Sequence, residues 1–203
     1  MSNKDKDYGV SQIQILEGLD AVRRRPGMYI GPTDIKGIHK MVTEVVDNSV
    51  DEAMAGFCDE IDITILPDGF FCIEDNGRGI PVETHPEKNI SSLEVVMTVL
   101  HSGGKFDSNG YEYSGGLHGV GISVVNGLST KLDVEVKRDG KIYKMSFKKG
   151  EVVKALNVIG SSEETGTKII FQPDPEIFGK IEYSFEQLST RLREMAFLNR
   201  VRD

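Results

Sequence analysis

The segment from Tyr113 to Ser123, YSGGLHGVGIS, constrains the fold more than any other stretch of the chain. Its glycines precede an apolar, helix-compatible run and so place bare backbone N–H groups at a helix N-terminus, where anions bind. Phosphate is the occupant that we expect. The spacing matches neither the P-loop nor the Gly-x-Gly-x-x-Gly fingerprint, so another phosphate-binding fold is predicted. A flexible surface loop is the alternative, but it poorly explains the apolar residues between the glycines.

Composition limits the size of the core and the kinds of partner that the chain can have. The 203 residues, 38% of them hydrophobic, suffice for one sizeable core, and the formal charge of -8 argues against a DNA-wrapping surface. The basic run at 23–25 lies just before Pro26, a position typical of a helix C-terminus. We interpret it as complementing the helix dipole or as a packing element. Cys58 and Cys72 lack metal-ligand spacing and are expected to be buried free thiols. No apolar run is long enough to span a membrane, so a cytoplasmic protein is predicted.

Hydrophobic periodicity predicts an α+β organisation. Ser91 and Glu94 match a capping box at the start of a helix that is expected to end near 101. The glycine-rich stretch 102–116 suggests a mobile lid, although a disordered loop fits its composition equally well. The other predicted elements are a polar start over 1–11, helices ending near 26 and covering 36–56, 119–127 and about 185–196, and strands at 61–65, 71–73, 132–136, 142–147 and 168–171.

The long helix carries a second chemical signal on one face. Glu44 and Asn48 stand one turn apart, which allows a carboxylate and a carbonyl oxygen to share a hydrated Mg²⁺ and its substrate phosphates. Glu44 can also polarise water for attack on phosphorus. A solvated acidic face is the usual meaning of such a pattern, yet only Lys40 offers a cation at helical spacing. The polar face contains Glu44, Asp47, Asn48, Asp51 and Glu52.

The third signal is the segment 75–81, DNGRGIP, which directly follows a predicted strand. Asp-Asn-Gly is ordinarily a hairpin turn, but no alternating strand follows it. Asp75 is therefore left at a strand end, where its carboxylate can accept a hydrogen bond from an exocyclic amino group. The glycines Gly77 and Gly79 would let the backbone approach a flat base closely.

These segments together resemble a known family. The blocks at 44–53, 75–81, 100–106 and 114–121 are similar, in order, to the motifs of the ATPase domain of bacterial type II topoisomerases, and shorter matches lie at 25–31 and 165–167. The resemblance covers essentially the whole chain and includes both gyrase B proteins and their topoisomerase IV counterparts. It implies the Bergerat (GHKL) fold, an α+β arrangement of a mixed, mostly antiparallel sheet with helices on one face. It divides the chain into an N-terminal arm, 1–17, and an ATPase domain, 18–203, with an ATP lid at about 83–118.

The resemblance also implies roles for individual residues. Glu44 would be the general base, Asn48 the Mg²⁺ ligand, and Asp75 the acceptor for the adenine amino group, aided by Thr167 and a water. Phosphate and nucleotide contacts would come from Gly103, Gly104, Lys105, Tyr111, Leu117, His118, Gly119, Val120 and Gly121. Arg78 and Arg138 would line the outer mouth of the pocket with Gly79 and Ile80, and Glu52 is placed to pair with Arg78.

ATP and Mg²⁺ are the cofactors that the resemblance implies. The expected partners are a gyrase A-type subunit and DNA in the full-length enzyme, a second copy reached through Tyr8 and Ile13 of the arm when ATP binds, and aminocoumarin-type inhibitors in the ATP pocket.

The chain is expected to bind ATP but hydrolyse it poorly, because the family's phosphate-reaching lysine lies in a later transducer domain. Lys40 departs from many relatives, which carry there the second of two adjacent histidines.

Alternatives to a gyrase B domain stay open at this point. A topoisomerase IV counterpart shares these motifs, and other GHKL ATPases share the acidic helix and Asp-x-Gly-x-Gly. A nucleotide-sensing module without turnover belongs to a different class, and Glu44 argues against it because binding alone needs no base.

Overall fold

A six-stranded sheet forms the centre of the computed structural model, which describes residues 18–100, 102 and 121–199. All pairings in this part are antiparallel, which confirms the mostly antiparallel sheet predicted from the resemblance. The spatial order is β1-β2-β6-β3-β4-β5. The strands are β1 Ile61–Ile65, β2 Phe71–Asp75, β3 Ser129–Arg138, β4 Lys141–Lys148, β5 Glu151–Ser161 and β6 Gly166–Pro173.

Strand register gives the sheet one apolar and one charged face. Because side chains alternate along a strand, neighbours in register fall on the same face. One such row is wholly buried and consists of Ile73, Ile169, Val134 and Met145. The adjacent row, on the other face, consists of Glu74, Lys168, Glu135 and Lys144, joined by ion pairs of 3.0 and 2.8 Å. The core therefore lies on the apolar side only.

Helices α3 and α5 contact each other and cover the apolar face, where α3 meets β2 and α5 meets β3 and β4. Valines on one side of α3 enter the core, because residues three and four apart share a face of a helix. The helices are α1 Leu19–Arg24, α2 Gly27–Ile30, α3 Ile35–Met54, α4 Ser92–Thr98, α5 Gly121–Gly127, α6 Pro175–Phe178 and α7 Phe185–Leu198.

Most predicted elements are confirmed, with two kinds of difference: one helix ends earlier than predicted, and three elements were not predicted. Helix α4 has the expected cap, since the Ser91 hydroxyl accepts from the Glu94 N–H at 3.1 Å, but it ends at Thr98 rather than near 101. Strand β5 and the short helices α2 and α6 were not predicted. An Asp139-Gly140 turn joins β3 to β4, and both of its residues have positive φ.

Both cysteines are buried free thiols, as the sequence predicts, and burial raises the pKa of each.

In the described ranges no cluster of His, Cys, Asp and Glu is arranged to hold a metal ion. No helix of that same part is long and apolar enough to cross a membrane. The predicted arm over 1–17 and positions 101 and 103–118 of the predicted lid lie outside the described residues.

Candidate functional site

Asp75 ends strand β2 and is held by three donors. Its Oδ1 accepts from the N–H groups of Gly77, at 3.0 Å, and Thr167, at 3.2 Å. Its Oδ2 accepts from the Ser49 hydroxyl at 2.7 Å. A carboxylate has about four acceptor positions, two on each oxygen. Asp75 is thus fixed in orientation, with one acceptor position on Oδ2 left for a ligand.

The charge state of Asp75 reflects opposing effects. Burial raises the pKa of this carboxyl, the three hydrogen bonds counteract that rise, and the nearby Glu52 carboxylate adds to it. The net direction is upward. A partly desolvated acceptor of this kind forms strong hydrogen bonds with a donor that excludes water.

Thr167 lies opposite Asp75 in the β2–β6 register and is buried. Its Oγ1 accepts from the Ile80 N–H at 3.3 Å, so the hydroxyl proton remains available to a ligand. An acceptor and a donor therefore lie side by side where the apolar face of the sheet ends. Apolar residues of the same core cluster include Val45, Ile73 and Ile169, which are buried, and Ile80 and Val96, which are partly buried.

Two glycines allow the backbone to close around Asp75. Gly79 has a φ of +78°, and a Cβ there would lie 2.8 Å from the carbonyl oxygen of Lys137. Gly166 has a φ of +150°, and a Cβ there would overlap the carbonyl oxygen of Asp75. Both positions therefore require glycine for conformation and for space.

Glu44 projects from α3 toward the start of α5. Its Oε1 lies 2.5 Å from the Lys40 Nζ. Its Oε2 occupies the space beside Gly121, where an added Cβ would overlap it. Asn48, one turn further, donates from Nδ2 to the Glu44 carbonyl oxygen at 3.3 Å. The carboxylate thus faces the residue at which the predicted phosphate loop meets its helix.

An arginine pair closes the outer edge of the site. Arg78 makes an ion pair of 2.8 Å with Glu52, as predicted, and its guanidinium lies 3.9 Å from the centroid of the Phe57 ring. Arg138 donates to the carbonyl oxygen of Gly79 at 3.0 Å. Both arginines are therefore attached to the segment that follows Asp75.

The structure brings together the predicted site residues that it describes, around Asp75 and at the α3–α5 contact. Sequence reasoning missed Ser49 and Phe57. The only sequence signal for Ser49 was a serine within a valine-rich helix face, and Phe57 had no sequence signal. The predicted site residues Gly103, Gly104, Lys105, Tyr111, Leu117, His118, Gly119 and Val120 lie outside the described residues.

Comparison with known proteins places this chain in a family. The DNA gyrase B protein of Campylobacter jejuni is 57% identical over 194 residues, which cover 96% of this chain and 25% of that protein. The DNA gyrase B protein of Halalkalibacterium halodurans is 55% identical over 201 residues, 98% of this chain and 32% of that protein. The chain thus spans about a quarter to a third of the length of these relatives.

A solved structure shows the same fold. The 43K ATPase domain of Thermus thermophilus gyrase B, in complex with an aminocoumarin, matches with a TM-score of 0.79 and 44% identity, over 89% of this chain and 46% of that chain. The model of the histidine kinase-, DNA gyrase B- and HSP90-like ATPases matches residues 33–177, a range that runs from the start of α3 through β6 and contains Glu44, Asp75 and Thr167. With its fold and its sequence in agreement, the chain belongs to the histidine kinase-, DNA gyrase B- and HSP90-like ATPase family.

Proposed function

We propose that the chain is the ATP-binding and ATP-hydrolysing domain of a bacterial type II topoisomerase of the gyrase B kind. The observation that carries the proposal is the Asp75 carboxylate, held by three donors with one acceptor position open beside the Thr167 hydroxyl. An adenine amino group and its neighbouring ring nitrogen supply the complementary donor and acceptor, the nitrogen directly or through a water.

In this proposal Glu44 acts as the general base. Its carboxylate takes a proton from the attacking water, which lies between α3 and the terminal phosphate near Gly121. The segments 103–105 and 117–121 hold the phosphates. Asn48 provides an amide oxygen for Mg²⁺, a cation that prefers oxygen ligands and neutralises phosphate charge when bound.

The wider function rests on the relatives. The two gyrase B proteins named above support a role in ATP-dependent DNA strand passage and supercoiling, in the cytoplasm, with a gyrase A-type subunit and DNA as partners. Arg78 and Arg138 at the outer edge provide donors for an aminocoumarin, the class of compound bound by the Thermus thermophilus domain. The division into an arm over 1–17 and an ATPase domain with a lid at 83–118 remains part of the proposal.

Replacing the base tests the proposal. In the full-length protein, Glu44→Ala should lower the ATP turnover number at least about a hundredfold, because a positioned base contributes roughly 10²–10⁴ to the rate. ATP affinity, measured by calorimetry, should stay within about threefold, since binding needs no base. Glu163→Ala removes the same charge from an exposed position and should leave both quantities unchanged. Full turnover in Glu44→Ala would rule out the proposed mechanism.

A further inference from the structure

We infer that Asn126 is a positioning residue, whose buried side-chain amide fixes α4 against α5 and so sets the spacing of the two helices on either side of the predicted phosphate segment. This segment, residues 103–121, runs in the sequence from shortly after α4 to the first residue of α5. The inference rests on the proposed function, in which parts of the segment hold the phosphates of ATP. It goes beyond that function by assigning a role to a side chain at the far end of α5 from Gly121.

The amide of Asn126 joins α5 to two neighbouring elements. The residue is fully buried, at 0% exposure, in the part of the molecule where α4 and α5 contact each other. Its Nδ2 donates to the carbonyl oxygen of Met97 in α4 at 2.9 Å. A longer contact of 3.5 Å reaches the carbonyl oxygen of Gly150, between β4 and β5. Because both neighbours are acceptors, the NH₂ group and not the amide oxygen must face them.

The bond to Met97 helps to fix the end of α4. The last four carbonyl groups of a helix have no partner within the helix and need one from elsewhere. The Ser102 hydroxyl lies 2.8 Å from the carbonyl oxygen of Val95 and 2.6 Å from that of Val99. Asn126 supplies the donor for Met97 from a different helix. The end of α4 is therefore held both by the chain that follows it and by α5.

Stability alone does not account for an asparagine at this position. Among the described residues, the Oδ1 of Asn126 has no hydrogen-bond partner although it is buried. A buried acceptor without a partner is destabilising, and an apolar side chain would avoid that penalty. The neighbouring residues Val124 and Val125 are buried and apolar, as expected for a core helix. We therefore attribute the amide to the bond that it donates to α4.

The two ends of α5 are held by different helices. At its start, Gly121 packs against the Glu44 side chain of α3, and an added Cβ would overlap the carboxylate. Near its end, Asn126 bonds to α4. Five helical steps of 1.5 Å separate the two positions, so the bond to α4 lies only about 7.5 Å along the helix from the end of the predicted phosphate segment. A shift of α4 relative to α5 therefore changes the spacing between Ser102 and Gly121.

The expected consequence is a loss of affinity for phosphate without a loss of affinity for the base. In the proposed function, Asp75 and Thr167 recognise adenine, and these residues belong to β2 and β6 rather than to α4 or α5. Adenosine carries the same base as ATP and no phosphate. Removing the amide of Asn126 should therefore weaken the binding of ATP and leave the binding of adenosine unchanged.

The test compares Asn126→Leu with Ser129→Ala in the full-length protein. Ser129 is also fully buried, and its hydroxyl donates to the carbonyl oxygen of Val125 at 2.6 Å. Its replacement removes a buried hydrogen bond at the same end of α5 but keeps the bond to α4. Calorimetry measures the Kd of ATP, and ligand-observed NMR measures the Kd of adenosine, which is expected to bind more weakly.

Asn126→Leu should raise the Kd of ATP about tenfold, the effect expected when a hydrogen bond to a charged phosphate is weakened. The Kd of adenosine should stay within about twofold, because no phosphate contact contributes to it. Ser129→Ala should leave the ratio of the two Kd values as it is in the wild type.

Thermal melting shows whether each variant is folded, and Asn126→Ser provides a smaller polar replacement where the leucine variant does not fold. Wild-type ATP affinity in a folded Asn126 variant would overturn the inference, as would equal losses of affinity for ATP and adenosine. Failure of the inference alone would appear as an unchanged ratio of the two Kd values beside an inactive Glu44→Ala. Full turnover in Glu44→Ala would instead remove the proposed function itself.

Discussion

At the scale of single residues, the position and acceptor role of Asp75 could be predicted from the sequence, whereas its contact with a distant helix could not. Its place at a strand end and its role as an acceptor were predicted from the segment 75–81, because no alternating strand follows it. Its contact with the Ser49 hydroxyl was not predicted, because Ser49 lies among valines and the sequence does not show that α3 crosses the end of β2. Contacts between distant segments depend on packing, which periodicity alone does not specify.

The raised pKa of Asp75 predicts that the site costs stability at neutral pH. A group whose pKa is higher in the folded than in the unfolded state stabilises the fold below its unfolded value, near 3.8, and this contribution is lost as the pH rises through the folded value. Asp75→Asn removes the buried charge but keeps an oxygen that can accept from Gly77 and Thr167. This variant should therefore be at least as stable as the wild type at pH 7.

The same variant should bind ATP more weakly by about 1–3 kcal/mol, because an amide NH₂ would face the adenine amino group. Urea unfolding between pH 5 and pH 8, with calorimetry for ATP, measures both effects. Asp62→Asn, on an exposed position of β1, is the matched control for the loss of one charge. Wild-type ATP affinity in Asp75→Asn would show that this carboxylate does not recognise the base.

At the scale of secondary-structure elements, the predictions succeeded where one face is buried. Helix α3 was placed to within two residues because its valines repeat at helical spacing, and β1 was placed because its residues alternate. Strand β5 was missed because it is an edge strand that is exposed along almost its whole length, so no apolar alternation marks it. Helix α7 was also predicted, but its first residue, Phe185, is 69% exposed, since only the face with Leu188 and Met195 is buried.

The link between α3 and α7 predicts a pH dependence of stability. His39 Nε2 accepts from the N–H of Ser184, the N-cap residue of α7, so the imidazole must be neutral in this contact. Burial lowers the pKa of His39 below its usual 6.5. The contribution of His39 to stability is therefore complete above about pH 6.5 and is lost as the pH falls through the lowered folded value.

Thermal melting between pH 5 and pH 8 tests the contact. His39→Gln keeps an acceptor for the Ser184 N–H but does not titrate, so its melting temperature should fall less on acidification than that of the wild type. Loss of one hydrogen bond is worth about 0.5–1.5 kcal/mol, or roughly 1–6 °C for a domain of this size. His85, which accepts from the Glu87 N–H in an exposed turn, provides the control variant His85→Gln. Identical pH profiles for His39→Gln and the wild type would contradict this role.

At the scale of the whole molecule, α1 and α5 form one packed unit. The Arg23 guanidinium donates to the carbonyl oxygen of Gly127, at 2.8 Å, and to the buried carboxylate of Asp174, at 2.7 Å. Arg23 thus packs against the C-terminal end of α5, which agrees with the interpretation of the basic run as a packing element. In the sequence, the predicted arm directly precedes α1 and the predicted phosphate loop directly precedes α5.

The last prediction concerns self-association through the arm. The family resemblance assigns Tyr8 and Ile13 to contacts with a second copy, and the chain spans only about a quarter to a third of its gyrase relatives. A stable interface buries about 1,200–2,000 Å², which an arm of 17 residues supplies only in part. The 203-residue chain should therefore stay monomeric in light scattering with a non-hydrolysable ATP analogue. A full-length protein should dimerise under the same conditions, and Ile13→Asp in it should weaken the dimer at least tenfold. A stable, fully active dimer of the 203-residue chain would show that the remaining part of the protein is not needed for assembly or turnover.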